Sequence, residues 1–428
     1  MNRTTGPGPV ARPPPVQRWF SGSPERLATL LSAGGQPDSA FPSPAVPRTA
    51  PPVVTDRRRR APARPAFPPR HRTNRRTNHR MKEHTLDASA SASRRTLLRL
   101  ATAAGLGGAL AATPLPAFAQ SARCPLPRTL SVTAPGLYPE GVAWDPTRKA
   151  FLVGSSAQGT ISVVRADGSV TPLVAPFAQV SVLGVTVDAP RRRVLAAYTD
   201  YFFRMMGIID PSLPPVSGVG VFDLVTGAVR HLVDVSDGQP LPRANDLTVD
   251  RNGTIHVTDT GVDTVTTVSR DGEVLNVLRD DRFATADTGP NGIVHHPAGF
   301  LLMGKYEGGR LFRIDRPCSA RPKVSEVRLE GAPASLDGIA LRPDGTLVAV
   351  SNDLSLSGGR QSPDEVVVLR STDGWRTART VQRRTWPHED PTTVAVTPYG
   401  DYVVSGGLRE ILTGVPSTTP GTFQLRRR

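Results

Sequence analysis

One short pattern recurs six times between residues 140 and 397, and this recurrence limits the possible folds more than any composition figure does. The segments are Glu140-Gly-Val-Ala-Trp-Asp145, Leu183-Gly-Val-Thr-Val-Asp188, Asn245-Asp-Leu-Thr-Val-Asp250, Asn291-Gly-Ile-Val-His-His296, Asp337-Gly-Ile-Ala-Leu-Arg342 and Thr392-Thr-Val-Ala-Val-Thr397. Their starts lie 43, 62, 46, 46 and 55 residues apart. Each is followed by a turn and a second apolar run, as in Asp250-Arg-Asn-Gly-Thr-Ile-His-Val-Thr258 and Arg342-Pro-Asp-Gly-Thr-Leu-Val-Ala-Val350. Short alternating runs between Asp-Gly, Asn-Gly and Pro turns read as strands joined by hairpins. A period of roughly 40–50 residues with about four strands per period reads as one propeller blade. The expected fold class is therefore all-β, a six-bladed β-propeller with four-stranded antiparallel blades over residues 120–428. The longest interval holds an insertion around Tyr198 to Gly220. Its Tyr201, Phe202, Phe203, Met205 and Met206 read either as a lid over the channel or as filling between blades.

Charge divides the chain. Residues 1–119 hold 19 Lys+Arg against 5 Asp+Glu, which accounts for nearly all of the net charge of +15. The remainder is near neutral, so the basic character does not belong to the repeats, and a nucleic-acid partner is not expected. Residues 1–80 are rich in Pro, Arg, Ser and Ala and lack apolar periodicity. They read as a disordered extension, because such a segment buries too little apolar surface to offset the entropy of ordering it. A start at Met81 would leave this extension untranslated.

Residues 81–119 read as a twin-arginine signal peptide. Ser93-Arg94-Arg95-Thr96-Leu97-Leu98 is followed by a mildly apolar stretch to Leu115 and by the small-x-small site Ala117-Phe118-Ala119. The expected location is secreted or periplasmic, with no stable membrane anchor. The two cysteines, Cys124 and Cys318, both follow this signal, and an oxidising compartment permits a disulfide between them. Closed sheets leave few edges for pairing, so a monomer is expected.

The first residues of the six segments are Glu140, Leu183, Asn245, Asn291, Asp337 and Thr392. In a propeller these positions are related by rotation about the central axis, and alternate side chains of the inner strand point into the channel. Glu140, Asn245, Asn291 and Asp337 would thus present carboxylate or carboxamide oxygens to one point. Such a set of hard oxygen donors suits one divalent metal, Ca²⁺ best, with Mg²⁺, Mn²⁺ or Zn²⁺ as alternatives.

Tyr138-Pro-Glu-Gly-Val-Ala-Trp144, Arg243-Ala-Asn-Asp246, Pro290-Asn-Gly292 and Leu336-Asp-Gly-Ile339 resemble the motifs of the gluconolactonase and senescence-marker-protein family of lactone hydrolases. The paraoxonases are more distantly similar. The resemblance spans residues 135 to about 410 and implies a six-bladed propeller with a divalent metal in its channel. It implies Glu140, Asn245, Asn291 and Asp337 as metal ligands and Arg243 as the substrate-binding residue. Asp337 is then also the catalytic acid that handles the hydrolytic water, and the ligand is a small lactone or sugar acid. Where this family often has Asn-Asp-Gly, the chain has Asn245-Asp246-Leu247, which is closer to the paraoxonase-like branch. No counterpart of the paraoxonase histidine pair is found, and His295 and His296 read as packed or surface residues. The competing reading is a non-catalytic, metal-stabilised propeller of the NHL type that binds a ligand or a protein, since the segment from Asn245 to Val274 also resembles that repeat.

Overall fold

The repeats fold into antiparallel sheets, each wound from an inner strand outward. A computed structural model describes residues 126–286, 288–354, 363–414 and 417–428. The expected extension, the signal segment and Cys124 lie outside the described residues. The first sheet holds β2 (Pro139–Asp145), β3 (Ala150–Ser155), β4 (Ile161–Val164) and β5 (Val170–Val174). The second holds β6 (Ser181–Asp188), β7 (Arg193–Thr199), β8 (Ser217–Asp223) and β9 (Val229–Asp234). The third holds β10 (Ala244–Val249), β11 (Ile255–Asp259), β12 (Thr264–Val268) and β13 (Val274–Arg279).

An eight-stranded sheet follows, made of two four-stranded antiparallel runs. One run is β14 (Pro290–His296), β15 (Phe300–Lys305), β16 (Arg310–Asp315) and β17 (Lys323–Glu330). The other is β18 (Ile339–Leu341), β19 (Leu347–Ser351), β20 (Glu365–Arg370) and β21 (Thr377–Thr385). The runs join where Arg328–Glu330 of β17 pairs in parallel with Thr377–Arg379 of β21, which covers two edges that would otherwise be open. The last sheet takes its strands from both ends of the described chain. β22 (Pro391–Thr397), β23 (Gly400–Ser405) and β24 (Thr422–Arg427) are completed by β1 (Thr129–Thr133), with Val132 opposite Phe423.

The first strands of these units pack in a closed cycle: β2 against β6, then β10, β14, β18 and β22, which returns to β2. No single core forms, because apolar residues fill the spaces between successive sheets. Val153, Phe151, Tyr402 and Phe423 pack where the last sheet meets the first, and Leu195, Val219, Leu247 and Val257 where the second meets the third. Second strands have a neighbour on both faces, so β3, β7, β11, β15 and β19 are buried throughout, and all but β11 are mostly apolar.

The centre of the cycle is tight. A Cβ on Gly141 would lie 2.0 Å from the Leu183 carbonyl oxygen, and one on Gly292 would lie 2.3 Å from that of Asp337. Glycine follows the first residue of four of the six segments, and only a residue without a side chain lets adjacent strands approach so closely. The insertion is shorter than its sequence suggests. Tyr198 belongs to β7 and faces Gly218 of β8, and the extra residues between these strands carry one short helix, α1 (Tyr201–Met205).

Candidate functional site

The same irregularity recurs in five of the inner strands. The pairing register shifts between Pro139 and Val142, Val182 and Val185, Ala244 and Leu247, Pro290 and Ile293, and Pro391 and Val394. Each bulge contains the first residue of a repeat segment, and a bulge re-aims the side chain it carries. In the remaining unit, Asp337 and Gly338 precede the short β18, and their place is held by Asp337 N–H donating to Val350 O (3.0 Å) and Gly338 N–H to Thr392 O (2.8 Å).

Glu140, Asn245, Asn291, Asp337 and Arg243 consequently line one cavity of about 160 Å³, with Leu183 on the same wall. All five polar residues are more than nine-tenths buried. Thr392, at the sixth equivalent position, instead donates its hydroxyl to the Glu140 carbonyl at 2.6 Å and closes the cycle of strands. His295 and His296 lie away from the cavity on β14, with His296 stacked on Phe300 at 4.3 Å.

The donor set is poorly satisfied by the protein alone. The Oδ1 atoms of Asn245 and Asn291 are buried without a hydrogen-bond partner, a state that folded proteins rarely tolerate. Burial pushes the Glu140 carboxyl well above the usual carboxylate range, and the nearby charges of Asp337 and Asp246 push it further. Burial also raises Asp246, to about 7. It raises Asp337 as well, against the opposing pull of the Asn352 amide. Among the described residues none of these three carboxylates joins a salt bridge. Crowded carboxylates beside unpaired amide oxygens are the donor set of a hard divalent cation, and the residues present fit one.

Asp337 is held by neighbours outside the repeat motif. Asn352 Nδ2 donates to Asp337 Oδ2 (2.5 Å) and to Pro391 O (2.6 Å), while its Oδ1 accepts from the Tyr306 hydroxyl (2.8 Å). Neither the Pro391 carbonyl nor an ionised carboxylate can donate, so this orientation of the amide is chemically required. Asn291 gives Asp337 a further side-chain hydrogen bond. Arg243 is fixed at both ends. Its backbone N–H reaches the Asp259 carboxylate (2.8 and 2.9 Å), its Nη2 donates to Thr260 O (3.2 Å), and its guanidinium lies 4.6 Å from the centre of the Tyr201 ring.

The mouth of the cavity is built from connections between second and third strands. These supply Ser156, Thr260, Tyr306, Leu354, the helix α1 and a second short helix, α2 (Leu408–Thr413). Tyr201, Phe202 and Met205 of α1 face Leu408, Ile411 and Leu412 of α2 across the opening, so a polar floor lies beneath an apolar rim. Sequence reasoning missed Asp246, Asn352, Tyr306 and the whole of α2. One signal was available for the second strands. They all end in polar residues, Ser155, Thr199, Asp259, Lys305, Ser351 and Ser405, although most of their interiors are apolar.

The sequence profile of the SMP-30/Gluconolactonase/LRE-like region matches residues 138–353, about half of the chain. No curated protein sequence matches it. Among solved structures, the major allergen Mala s 1 of Malassezia sympodialis is similar, with a TM-score of 0.54 at 18% identity, covering 70% of this chain and 96% of that one. Regucalcin, a calcium-binding protein of Agrobacterium tumefaciens, gives 0.45 at 16%, covering 68% and 92%. A gluconolactonase of Xanthomonas campestris gives 0.43 at 17%, covering 70% and 86%. At such identities the likeness extends to the fold alone.

Proposed function

Since the chain belongs to the SMP-30/gluconolactonase/LRE-like family, a family of lactonase-type hydrolases, we propose that it is an exported six-bladed propeller that hydrolyses lactones or related esters at the centre of its ring of inner strands. The observation that carries this reading is the convergence of Glu140, Asn245, Asn291, Asp337 and Arg243 on one cavity in which two amide oxygens are buried without partners.

Glu140, Asn245, Asn291 and Asp337 would hold a divalent cation, with Ca²⁺ the best match to all-oxygen donors. When bound, such a cation supplies polarisation of the substrate carbonyl and stabilisation of the oxyanion. The protein's own groups do the rest. Arg243, a permanent cation with its guanidinium against Tyr201, holds the ring oxygen or a carboxylate of the substrate. Asp337, oriented by Asn352 and Asn291, takes the proton of the attacking water at a carboxylate oxygen. The rim residues of α1 and α2 exclude bulk water. They also favour a lactone bearing a hydrocarbon substituent over a polyhydroxylated one, because they offer few hydrogen-bonding groups.

The test uses the full chain with aldono-, γ- and homoserine lactones, in Ca²⁺ and in chelator, beside Asp337→Ala. Turnover that needs the metal and disappears in the variant is expected. No turnover with any divalent metal would sink the hydrolase reading and leave a binding propeller with a structural metal at its centre. Export rests on the Arg94-Arg95 pair and the Ala117-Phe118-Ala119 site. Replacing both arginines by lysine is expected to keep the protein in the cytoplasm, and unchanged export would refute the twin-arginine route.

A further inference from the structure

Beyond the opposite ends of the inner strands from the cavity, Asp250, His256 and Cys318 offer one carboxylate oxygen, one imidazole nitrogen and one sulfur, all within 4.8 Å of one another. Asp250 directly follows β10, His256 lies on β11, and Cys318 sits in the turn between β16 and β17. The three therefore come from two successive sheets. None of them lines the central cavity.

His256 is the anomaly. It faces Thr248 in the ladder, and the residues at the same place on the other second strands are Leu152, Leu195, Leu302, Val348 and Tyr402. Each of these is fully buried, and Tyr402 satisfies its hydroxyl by donating to Pro127 O at 2.8 Å. The fold thus calls for an apolar side chain there. His256 is equally buried. Its Nδ1 lies 3.1 Å from Thr267 Oγ1, while its Nε2 is enclosed without a partner. An unpaired nitrogen in such a place costs about 1–3 kcal/mol, which a leucine would avoid.

Asp250 departs from its equivalents too. Asp145 pairs with Arg148, and Asp188 pairs with Arg191 and Arg193. Asp250 accepts only the N–H groups of Asn252 (2.7 Å) and Thr254 (2.8 Å), and it has no ion pair among the described residues. Cys318 is solvent-exposed, which gives an incoming ion a path, and Thr254 hydrogen-bonds its sulfur.

We propose that Asp250, His256 and Cys318 form a second metal site that takes a zinc-class divalent cation and clips the β10–β13 sheet to the β14–β17 run. A thiolate with an imidazole selects a borderline-soft ion, unlike the all-oxygen centre, and a water completes a tetrahedral set. On binding, the thiol releases its proton to solvent, and no electrons are transferred.

The experiment uses the full chain, reduced and stripped with chelator, then titrated with Co²⁺ as a spectroscopic stand-in and chased with Zn²⁺. A thiolate-to-cobalt charge-transfer band that zinc abolishes is expected, together with a higher melting temperature in zinc. Cys318→Ser should remove the band and weaken zinc binding by more than about 100-fold, the upper end of what loss of a supporting outer-shell group costs. His256→Leu, which installs the side chain of the sister strands, should fold and lose the band as well. Asp337→Asn should leave the band intact, which separates this site from the central one. The proposal is overturned if the wild type shows no thiolate band, or if both ligand variants bind zinc as the wild type does. It is also overturned if Cys318 in the native protein proves to be oxidised in a disulfide with Cys124.

Discussion

Asn352 neither lines the cavity nor belongs to a repeat motif, yet its hydrogen bond to Asp337 predicts a measurable effect on the central site. Replacing it by leucine keeps the branching of the side chain and removes the side-chain hydrogen bonds to Asp337 Oδ2, Pro391 O and the Tyr306 hydroxyl, the last of which keeps the backbone carbonyl of residue 352 at 3.3 Å. A hydrogen bond to a charged group contributes about 1.5–3 kcal/mol. Asp337 must be ionised to act as a ligand, so the loss converts to a metal affinity lower by roughly 10- to 150-fold, at one factor of ten per ~1.4 kcal/mol. That range overlaps the loss of about 10- to 100-fold seen when outer-shell partners of metal ligands are removed in general. The Pro391 carbonyl, which loses its Asn352 donor, adds a stability cost of about 1–3 kcal/mol, which a domain of ordinary stability survives. Calorimetric titration of Asn352→Leu with Ca²⁺ measures the affinity, and lactone turnover at rising Ca²⁺ measures rescue. Weaker binding with activity largely restored at high metal is expected. Affinity within about twofold of wild type, in a protein that still melts cooperatively, would refute the chain of reasoning from Asn352 through Asp337 to the metal.

Other consequences follow from the same geometry. Gly141→Ala places a methyl 2.0 Å from the Leu183 carbonyl; backbone cannot yield as a side chain does, so a loss of about 3 kcal/mol, or at least ~6 °C in melting temperature, is expected by scanning calorimetry. An unchanged melting point would show that the inner strands can separate at no cost. Tyr201→Ala removes the ring beside Arg243 and part of the apolar rim. KM for alkyl-substituted lactones should rise roughly 3- to 30-fold, the equivalent of about 0.7–2 kcal/mol, with kcat little changed; an equal effect on kcat would place Tyr201 in the chemistry instead. Burial, with Asp234 adding to it, pushes the Tyr198 hydroxyl up to about 12. Since the unfolded chain ionises it near 10, its contribution is intact below about pH 10 and is lost as pH rises towards 12, a change on the order of 3 kcal/mol. Urea midpoints across this window should therefore fall more steeply for wild type than for Tyr198→Phe, and parallel curves would contradict the assignment.

The strands and the bulged positions were legible because each unit meets the same packing constraint and answers it with the same short sequence. Glu140, Asn245, Asn291 and Asp337 could be found by aligning the chain on itself, since register is what brings them together. Residues used once left no such trace. Asn352 directly follows β19, beyond the aligned segment, and its importance depends on an amide whose partners come from three other places in the chain. Helix α2 has six residues, too few to display a helical period, and it is framed by Gly407 and Gly414 in left-handed conformations that read as loop. The insertion was misjudged at its margins for a related reason. Tyr198 continues β7, where its hydroxyl occupies the space that a Cβ on Gly218 would need. The parallel contact between β17 and β21 joins outer strands with little apolar surface, so no pattern announces it.

The pairing of β1 with β24 bears on how the molecule is made. During synthesis β1 emerges long before its partner β24, which follows every other strand among the described residues. Every other antiparallel neighbour is available within a few dozen residues, whereas this seam closes the longest loop among the described strands, at a loop-closure cost about 2 kcal/mol higher, and its long-range contacts favour slow folding. Until it zips, β24 presents an open edge and the apolar space around Phe423 is half built. Completion of the ring thus waits for β24, and clipping either strand opens the same seam. A chain built in this way gains from reaching its finished state before it is moved, which the twin-arginine route proposed above would allow.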